Sequence, residues 1–330
     1  MHAIHVLSDQ PRPEGSRPLV WQPAPDPIIG PDEVLVDIHA TALNRADLSQ
    51  RAGNYPPPPG APDILGLEMA GVIRDVGPRV KAWQPGDAVC ALLGGGGYAE
   101  QVAVHHAMLM PVPTGWSFEQ AACLPEVYLT AYVNLFLEAG LRPGETVLVH
   151  GGASGVGTAA VQLLHSLGHR VFVTVGTAEK AATCLRLGAD LAVNYREADF
   201  VQAVRDFTGG DGVDVILDMV GGDYYPRNVD LLNLRGRLVF IATLGGSRVE
   251  IEIGALMRKR ARLIGSVLRT RSLDEKVDIR EKFMGRFWPQ IEAGEIKPVI
   301  DRVYPIAETE VAHARMAANE NIGKIVLKVR

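Results

Sequence analysis

A glycine-rich turn between an apolar run and a helical pattern, at residues 145–160, constrains this chain more than any other feature. Residues 146–149 are apolar, and residues 158–167 have helical periodicity that ends at Gly168. The segment GVGTAA, residues 155–160, fits the pattern G-x-G-x-x-A. There the first glycine allows a tight turn, the second lets the backbone approach a pyrophosphate, and the small third residue lets the helix pack on its strand. The order strand, turn, helix therefore predicts a dinucleotide-binding unit rather than a flexible turn.

Length, charge and cysteine use narrow the class of protein. A chain of 330 residues is long enough for about two domains. The net charge of -5 gives no basic footprint for nucleic acid, and no apolar run reaches the roughly 20 residues of a membrane helix. The first seven residues are typical of a strand and not of a signal peptide. Cys90, Cys123 and Cys184 lie far apart and form no disulfide framework, so we expect a cytoplasmic protein.

The first 125 residues are rich in β-strand patterns separated by Gly/Pro turns. Strand-like runs occupy residues 32–42, 68–76, 88–93 and 98–104. Short strands with little helix predict a small barrel, with one helix over residues 45–51. The C-terminal segments 299–304 and 322–329 also have strand character, and we expect them to rejoin this domain.

From residue 145 the pattern alternates between strand and helix. Further strands are predicted at residues 170–175, 191–195, 213–218, 237–242 and 262–268, and helices at 178–187, 198–207 and 224–234. With residues 146–149 these strands make the full set of a doubly wound parallel sheet. An amphipathic helix follows over residues 272–293.

The second predicted strand indicates which cofactor is used. An NAD site needs a carboxylate there, about 20 residues beyond the glycine motif, to bind the ribose 2′-hydroxyl. That strand end instead carries Gly176 and Thr177, with Lys180 in the first turn of the next helix. N–H donors, a hydroxyl and a cation suit a 2′-phosphate, so the sequence favours NADPH. Glu179 would oppose a phosphate, but we expect it to point to another side of the helix.

Several segments together resemble the medium-chain dehydrogenase/reductase superfamily, in its zinc-free, zeta-crystallin-like quinone oxidoreductase branch. They are ALNRADL (42–48), GNYPPPPG (53–60), ILGLE (64–68), LPEVYLTA (124–131), SGVG (154–157), DMVGG (218–222) and NIGKIV (321–326). The turn SGVG is similar to that of the tumour-suppressor-inducible subgroup. The broader branch more often has a glycine where this chain has Ser154.

The resemblance implies an α/β protein of two domains. A GroES-like catalytic domain would comprise residues 1–125 and 270–330, and an NADPH-binding Rossmann domain residues 126–269. The active site would lie in the cleft between them. The sixth strand would be a sheet edge, and edges pair readily, so we expect a homodimer joined there as in the family.

Zinc-dependent relatives carry a Gly-His-Glu motif and a four-cysteine lobe. The matching positions here are Asn44 and the run Gly66, Leu67, Glu68, and leucine cannot ligate a metal. No cysteine cluster exists in the sequence. We therefore expect no metal and the NADPH-dependent reduction of an electron-poor acceptor, such as a quinone or an enone.

Four residues are the candidate catalytic groups. Tyr55, Asn44 and Ser154 could donate hydrogen bonds to a developing oxyanion, and Tyr55 could also supply a proton. The alternatives are that Tyr55 covers the proline run and that Ser154 caps the helix that follows it. Asp47 is expected to orient Asn44 or to cap helix 45–51, with catalytic acid as the less favoured role.

The remaining cofactor contacts are implied by the resemblance. Thr130 would approach the nicotinamide ribose, Tyr195 the adenosine phosphate, and Asn321 would close the cleft. The phosphate loop and the ends of the fifth and sixth strands would supply Ser154, Gly155, Val156, Gly157, Leu244, Gly245, Val267, Leu268 and Arg269. For the apolar members, core packing is the equal alternative.

Two other functions remain open. The first is reduction of an activated C=C bond, as in enoyl and alkenal reductases of the same superfamily. The second is a non-catalytic role, since some relatives are lens crystallins or bind RNA. The acidic net charge argues against RNA.

Overall fold

The computed structural model describes residues 1–7 and 17–330. The described residues divide into two compact units, residues 1–129 with 269–330, and residues 130–268. The chain therefore leaves the first unit after residue 129 and returns to it at residue 269. The functions that the sequence predicts for the two units remain predictions.

The strands of both units follow the apolar runs of the sequence. In chain order they are β1 (His2–Val6), β2 (Leu19–Pro23), β3 (Glu33–Ala42), β4 (Glu68–Val76), β5 (Ala88–Leu92), β6 (Gln101–His105), β7 (Leu109–Pro111), β8 (Thr146–His150), β9 (Arg170–Val175), β10 (Leu191–Asn194), β11 (Val213–Asp218), β12 (Leu232–Phe240), β13 (Arg262–Gly265), β14 (Ile300–Pro305) and β15 (Lys324–Lys328).

Helices alternate with strands through the second unit, and one helix also lies between the parallel strands β14 and β15 of the first unit. In chain order the helices are α1 (Arg45–Arg51), α2 (Phe118–Ala121), α3 (Pro125–Tyr132), α4 (Gly155–His165), α5 (Ala178–Arg186), α6 (Phe200–Thr208), α7 (Tyr224–Leu231), α8 (Ile253–Lys259), α9 (Leu273–Glu292) and α10 (Thr309–Ala317). A π-helical segment, Val133–Glu138, follows α3, and short 3₁₀ turns cover His106–Met108 and Ile306–Glu308.

The second unit is a parallel sheet with the strand order of the doubly wound dinucleotide-binding fold. Its strands lie in the order β10-β9-β8-β11-β12-β13, and every pair is parallel. The order reverses beside β8, and in this fold the ligand crevice lies outside the carboxyl ends of the strands at that point. The Rossmann sheet that the sequence predicts is therefore confirmed.

Apolar side chains on both faces explain why these strands are central. In β9 every residue after Arg170 is buried, as is every residue of β8 after Thr146. Such continuous burial is typical of parallel strands covered by helices on both sides. One core cluster joins Phe172, Phe200 and Leu238, which come from β9, α6 and β12.

The first unit is built on a seven-stranded sheet. Its path is β14-β15-β3-β4-β5-β7, and β6 pairs with β3. The C-terminal strand β15 runs antiparallel to β3 and parallel to β14, so the chain's end is part of the sheet. The predicted return of both C-terminal segments to this domain is therefore confirmed. A separate two-stranded sheet pairs β1 with β2.

Some helices and strands differ from the predicted ones. The sixth Rossmann strand ends at Gly265 and not at residue 268, because its partner β12 ends at Phe240. Helix α4 begins at Gly155, inside the glycine motif, and not at residue 158. Helix α8 was not predicted.

Along the two described stretches of the chain, no helix is both long enough and apolar enough to cross a membrane.

Candidate active site

The glycine turn of the second unit is a crowded loop followed by the N-terminus of α4. A Cβ on Gly157 would lie 2.4 Å from the carbonyl oxygen of Gly151 and 2.5 Å from that of Gly152. A Cβ on Gly152 would lie 2.4 Å from the Cβ of Val173, on β9. Larger residues cannot fit without moving the loop, so its path depends on glycine.

Ser154 is the N-cap of α4, as one of its two predicted roles requires. Its Oγ accepts the Gly157 N–H at 3.0 Å, and its hydroxyl faces the Met219 sulfur at 3.7 Å, a weak acceptor. The N–H groups of Gly155 and Val156 lie in the first helical turn, where no earlier carbonyl of the helix can accept them. These N–H groups and the positive end of the helix dipole suit a pyrophosphate.

A second polar corner lies after β9, where the sequence predicts the 2′-phosphate site. Thr177 caps α5 by accepting the Lys180 N–H at 3.3 Å. A Cβ on Gly176 would lie 2.8 Å from the Tyr195 hydroxyl, so this tyrosine closes over the glycine. The structure therefore brings together Gly176, Thr177, Lys180 and Tyr195, with no carboxylate at the end of β9 itself.

The loop after β12 is held by the loop after β11. The N–H of Leu244 donates to Met219 O at 3.2 Å, and that of Gly245 donates to Val220 O at 2.7 Å. A Cβ on Gly222 would lie 2.3 Å from Gly245 O. The side chain of Leu244 is exposed. Leu244 and Gly245, which were predicted to contact the cofactor, therefore lie in a loop whose backbone is hydrogen-bonded to the loop after β11.

The residues predicted at the end of the sixth strand lie beyond it. The N–H of Ser266 makes the final bond to β12, at Phe240 O. Val267 is then exposed and Leu268 is buried. The predicted contact of Val267 and Leu268 with a cofactor stays a prediction. It was based on their place at a strand end, and the strand ends earlier, at Gly265.

In the first unit, Asn44 uses its side chain within the protein. Its Nδ2 donates to Glu68 Oε1 at 2.9 Å and to Ala42 O at 3.3 Å. Its Oδ1 accepts from Lys324 Nζ at 2.7 Å. Both amide hydrogens are donated to buried acceptors, and these bonds position the start of α1. The predicted donation from Asn44 to a substrate oxyanion stays a prediction.

A buried ion pair, Lys324–Glu68, fixes this arrangement. The Lys324 Nζ lies 2.7 Å from Glu68 Oε1 and also donates to Leu43 O at 2.6 Å. Glu68 Oε2 accepts the backbone N–H of Glu126 at 2.8 Å. Both charged side chains are almost fully buried. Such a pair is tolerated because each charge is also hydrogen-bonded, and removing one partner would leave an uncompensated buried charge.

Asp47 is fully buried and acts as the cap that the sequence proposed as its main role. Its Oδ2 accepts the Asn44 N–H at 2.7 Å and the Tyr98 hydroxyl at 3.1 Å, and its Oδ1 accepts the Gly66 N–H at 3.2 Å. Burial raises the pKa of Asp47 to about 6, although these hydrogen bonds and Lys324 oppose the rise. The less favoured role of Asp47, that of a catalytic acid, stays a prediction.

Tyr55 keeps its hydroxyl uncommitted, because that group forms no hydrogen bond to any residue within 1–7 or 17–330. Its ring lies under the Arg269 guanidinium, whose Cζ is 5.1 Å from the ring centroid. Its carbonyl oxygen accepts from Arg269 Nη1 at 3.3 Å. Burial raises the pKa of Tyr55, and the nearby Glu126 adds to the rise. The phenol is therefore neutral and can donate a hydrogen bond.

The side chain of Arg269 makes hydrogen bonds within the first unit. Its guanidinium is buried and donates to Gly94 O, at 2.9 Å from Nε and 2.7 Å from Nη2. Nη2 also donates to Gln50 Oε1 at 2.8 Å. With these bonds and its stacking on Tyr55, the side chain fixes the tyrosine loop of the first unit. The predicted contact of Arg269 with the cofactor stays a prediction.

Glu126 is a titratable group that the sequence reasoning missed. Burial raises its pKa to about 8, and the carboxylate of Glu68 adds to the rise. Glu126 is therefore mostly protonated at neutral pH and can hold a proton near Tyr55. The signal in the sequence was a single carboxylate, directly after Pro125, in the apolar stretch 121–129.

Two predicted contacts make local hydrogen bonds. Thr130 accepts from Asn134 Nδ2 through its carbonyl oxygen at 2.8 Å. Asn321 donates from Nδ2 to Gly323 O at 2.8 Å, which shapes the turn before β15. Their roles toward a cofactor stay predictions. In the described ranges no group of three or more His, Cys, Asp or Glu side chains could hold a metal ion.

Comparisons with known proteins agree with both units. The chain matches the family models "Alcohol dehydrogenase GroES-like domain" over residues 30–114 and "Zinc-binding dehydrogenase" over residues 155–281. It is 33% identical to the quinone oxidoreductase of Rattus norvegicus over 297 residues, which cover 89% of this chain and 88% of that protein.

Solved structures extend the similarity. The structure of Escherichia coli quinone oxidoreductase complexed with NADPH is 30% identical, with 100% of both chains covered and a TM-score of 0.88. The CurK enoyl reductase is 28% identical, with 100% of this chain and 99% of that chain covered and a TM-score of 0.87.

A GroES-like domain together with this Rossmann sheet defines an oxidoreductase of the medium-chain dehydrogenase/reductase class. Within that class, the chain belongs to the quinone oxidoreductase family. The family resemblance predicted from the sequence is thus confirmed. The narrower subgroup stays a prediction.

The raised pKa of Asp47 predicts how stability depends on pH. The carboxyl releases its proton near pH 3.8 when unfolded but only near pH 6 when folded. Its contribution is therefore full below pH 3.8 and is lost as the pH rises to about 6. Relative to Asp47→Asn, the wild type should lose about 2 kcal/mol of unfolding free energy between pH 4 and pH 7. Urea unfolding at both pH values measures this difference.

Asp37→Asn is the control for that experiment. Burial raises the pKa of Asp37, but the hydrogen bond from Gln101 and the charge of Arg330 outweigh burial and leave the pKa lowered. Its contribution is therefore lost as the pH falls, with the opposite sign. If the difference in unfolding free energy between the wild type and Asp47→Asn does not change with pH, the raised pKa of Asp47 is contradicted.

Proposed function

We propose that this protein reduces quinones with NADPH and without a metal. The observation that carries the proposal is the end-to-end similarity to a quinone oxidoreductase solved with NADPH. The rat relative, also called a quinone oxidoreductase, covers nearly the same length. The loops of the second unit are consistent with this cofactor, and the first unit offers one uncommitted phenol hydroxyl.

The pyrophosphate would bind at the start of α4. Gly155 and Val156 would donate their N–H groups, and Gly157 would allow the backbone to approach closely. The loop suits this group because Gly157 packs directly against the carbonyl oxygens of Gly151 and Gly152, which holds the first turn of α4 and its N–H groups at the end of β8.

The 2′-phosphate would bind at Gly176, Thr177 and Lys180. Thr177 is the N-cap of α5 and Lys180 is in its first turn, at a helix N-terminus where an anion is favoured. Tyr195 would lie beside the adenosine phosphate, since it is exposed next to Gly176. This corner favours NADPH over NADH because a 2′-phosphate adds charge that only a cationic site stabilises.

Tyr55 would donate its phenol hydrogen to the quinone oxygen. Bound NADPH supplies a hydride, which adds two electrons and one proton to the quinone. The hydroquinone needs one further proton, which Tyr55 can pass from the protonated Glu126 or from water. Arg269 would hold the tyrosine ring, and Asn44 and Asp47 would hold the start of α1.

The similarity to an enoyl reductase gives a second candidate function, reduction of an activated C=C bond. A panel of acceptors separates the two. NADPH oxidation should be fastest with 1,2- or 1,4-quinones. Activity on 2-enoyl thioesters or alkenals, with none on either quinone, would favour the second function and reject the first.

A cytoplasmic location belongs to the same proposal. Cys90, Cys123 and Cys184 are buried free thiols, as expected in a reducing compartment.

We also propose that the protein is a homodimer joined along β13. This strand is the edge of the parallel sheet, and exposed edges invite pairing. Apolar side chains are unusually exposed in the segment that leads to it, among them Ile253, which is 67% exposed, and Met257, which is 72% exposed. A protein interface would cover them.

Met257→Asp should convert the dimer into a monomer, because it places a charge in the proposed apolar interface. Size-exclusion chromatography with light scattering measures the mass. Leu185→Asp is the control, since Leu185 is 48% exposed on α5, which packs against β9 and β10 at the other edge. A monomeric wild type, or a dimer that only Leu185→Asp dissociates, would contradict the proposed interface.

Lys180→Ala should raise the KM for NADPH by about tenfold or more, because a charge-assisted contact with the 2′-phosphate is lost. The KM for NADH should change little. Arg186→Ala, at the far end of the same helix, is the control. Equal effects of Lys180→Ala on both cofactors would remove Lys180 from the phosphate site.

Tyr55→Phe should lower kcat by roughly a hundredfold, because a donor to the developing oxyanion is lost. The affinity for NADPH, measured by its fluorescence on binding, should stay near that of the wild type. Tyr55→Leu also removes the ring under Arg269. If the phenylalanine variant is fully active and only the leucine variant is impaired, Tyr55 is a packing residue.

A further inference from the structure

A buried histidine precedes the phosphate loop and has no part in the chemistry described so far. His150 is the last residue of β8 and is completely buried. Its Nδ1 lies 2.9 Å from Thr174 Oγ1, on β9, and its Nε2 lies 2.8 Å from Asn228 Oδ1, on α7. Both ring nitrogens therefore have partners on neighbouring elements of the second unit.

The carboxylate of Asp218 fixes the direction of these hydrogen bonds, because it can only accept. Asn228 Nδ2 donates to Asp218 Oδ2 at 3.0 Å, so Asn228 Oδ1 must accept. It follows that Nε2 of His150 carries the proton, that Nδ1 accepts, and that the Thr174 hydroxyl donates. Burial lowers the pKa of His150, which agrees with a neutral ring. The result is a one-way chain from Thr174 through His150 and Asn228 to Asp218.

The chain ends on the backbone of a loop. Asp218 Oδ1 accepts the N–H groups of Val220 at 2.6 Å and Gly221 at 3.0 Å. Gly221 and Gly222 have φ of +64° and +49°, in the region where only glycine is relaxed. The same loop accepts the N–H groups of Leu244 and Gly245. The position of the loop after β12 therefore depends on Asp218.

Aromatic rings enclose the histidine. The rings of Phe200 and Tyr224 pack edge-on against His150, with centroids at 5.1 Å and 4.9 Å. Arg227 covers the outer faces of both, with its Cζ at 4.7 Å and 4.6 Å from their centroids. In such surroundings an unmet hydrogen bond is costly, so each link depends on the next.

We propose that Thr174, His150 and Asn228 are positioning residues, whose hydrogen-bond chain to Asp218 holds loops 219–222 and 243–246 in place for the nicotinamide end of the cofactor. The inference rests on the proposed function. It assigns the chain to the rate of hydride transfer and not to the binding of the adenosine half.

Thr174→Val tests the chain at its origin, since valine keeps the shape and removes the hydroxyl. The single-turnover rate of hydride transfer to a 1,4-quinone should fall by about tenfold, because the loss of about one hydrogen bond misplaces the loops. The Kd for NADPH should change less than twofold. Thr174→Ser, which restores the donor, should recover most of the rate. A wild-type rate in Thr174→Val, an equal loss in both variants, or a matching loss of NADPH affinity would overturn the proposal.

Asp218→Asn tests the direction of the chain. Its new NH₂ group would face that of Asn228, so the Asn228 amide must turn over and the whole chain must reverse. His150 should then carry its proton on Nδ1 and donate to Thr174 Oγ1. ¹⁵N NMR of histidine-labelled protein distinguishes the two tautomers, with the His150→Gln spectrum assigning the signal.

The NMR result stands even if Thr174→Val fails to fold. An Nε2–H ring in the wild type and an Nδ1–H ring in Asp218→Asn would support the chain. The same tautomer in both proteins would overturn it. If the wild type reduces no quinone, the proposed function fails by itself. The tautomers, and the fluorescence of bound NADPH in Thr174→Val against Thr174→Ser, would still test the chain.

Discussion

The close approach of two backbone segments in the glycine loop is the constraint on which the nucleotide-binding unit depends. Gly157 packs against the carbonyl oxygens of Gly151 and Gly152, with no room for a Cβ. That contact brings the first turn of α4 directly against the end of β8. The free N–H groups of the turn then lie at the carboxyl ends of the central strands, beside the reversal in strand order.

The loops around this contact are held by buried polar groups rather than by apolar packing alone. In the second unit, His150 and Asp218 join β8, β9 and β11 to the loop 219–222. In the first unit, Lys324 and Glu68 form a buried ion pair. In both networks these buried polar groups are hydrogen-bonded to one another. Removal of one member would leave a buried polar group without a partner.

Local sequence patterns predicted most of the fold, because strand ends coincide with glycines and helix caps. The strands Arg170–Val175 and Val213–Asp218 have the predicted bounds. The sixth strand was predicted too long because apolar residues recur at Val267 and Leu268, while the pairing that defines a strand ends where its partner ends. A partner's length is not visible in the run itself.

The candidate site was less predictable, since it depends on contacts distant in sequence. The amide of Asn44 is used by Lys324 and Glu68, and the former lies at the other end of the chain. Arg269 was assigned to the cofactor from its place after a predicted strand, yet its guanidinium bonds to Gly94 and Gln50. The grouping of Thr177 and Lys180 at the start of α5 was predictable because their spacing is local, and its binding of a phosphate stays a prediction.

Single-turnover mixing of the NADPH-loaded protein with a 1,4-quinone tests the central claim most directly. The absorbance of the reduced nicotinamide should disappear in one exponential phase, with one equivalent oxidised per subunit. The same experiment with NADH at equal concentration should be much slower or incomplete. No loss of absorbance with any quinone, or equal rates with NADPH and NADH, would contradict NADPH-dependent quinone reduction.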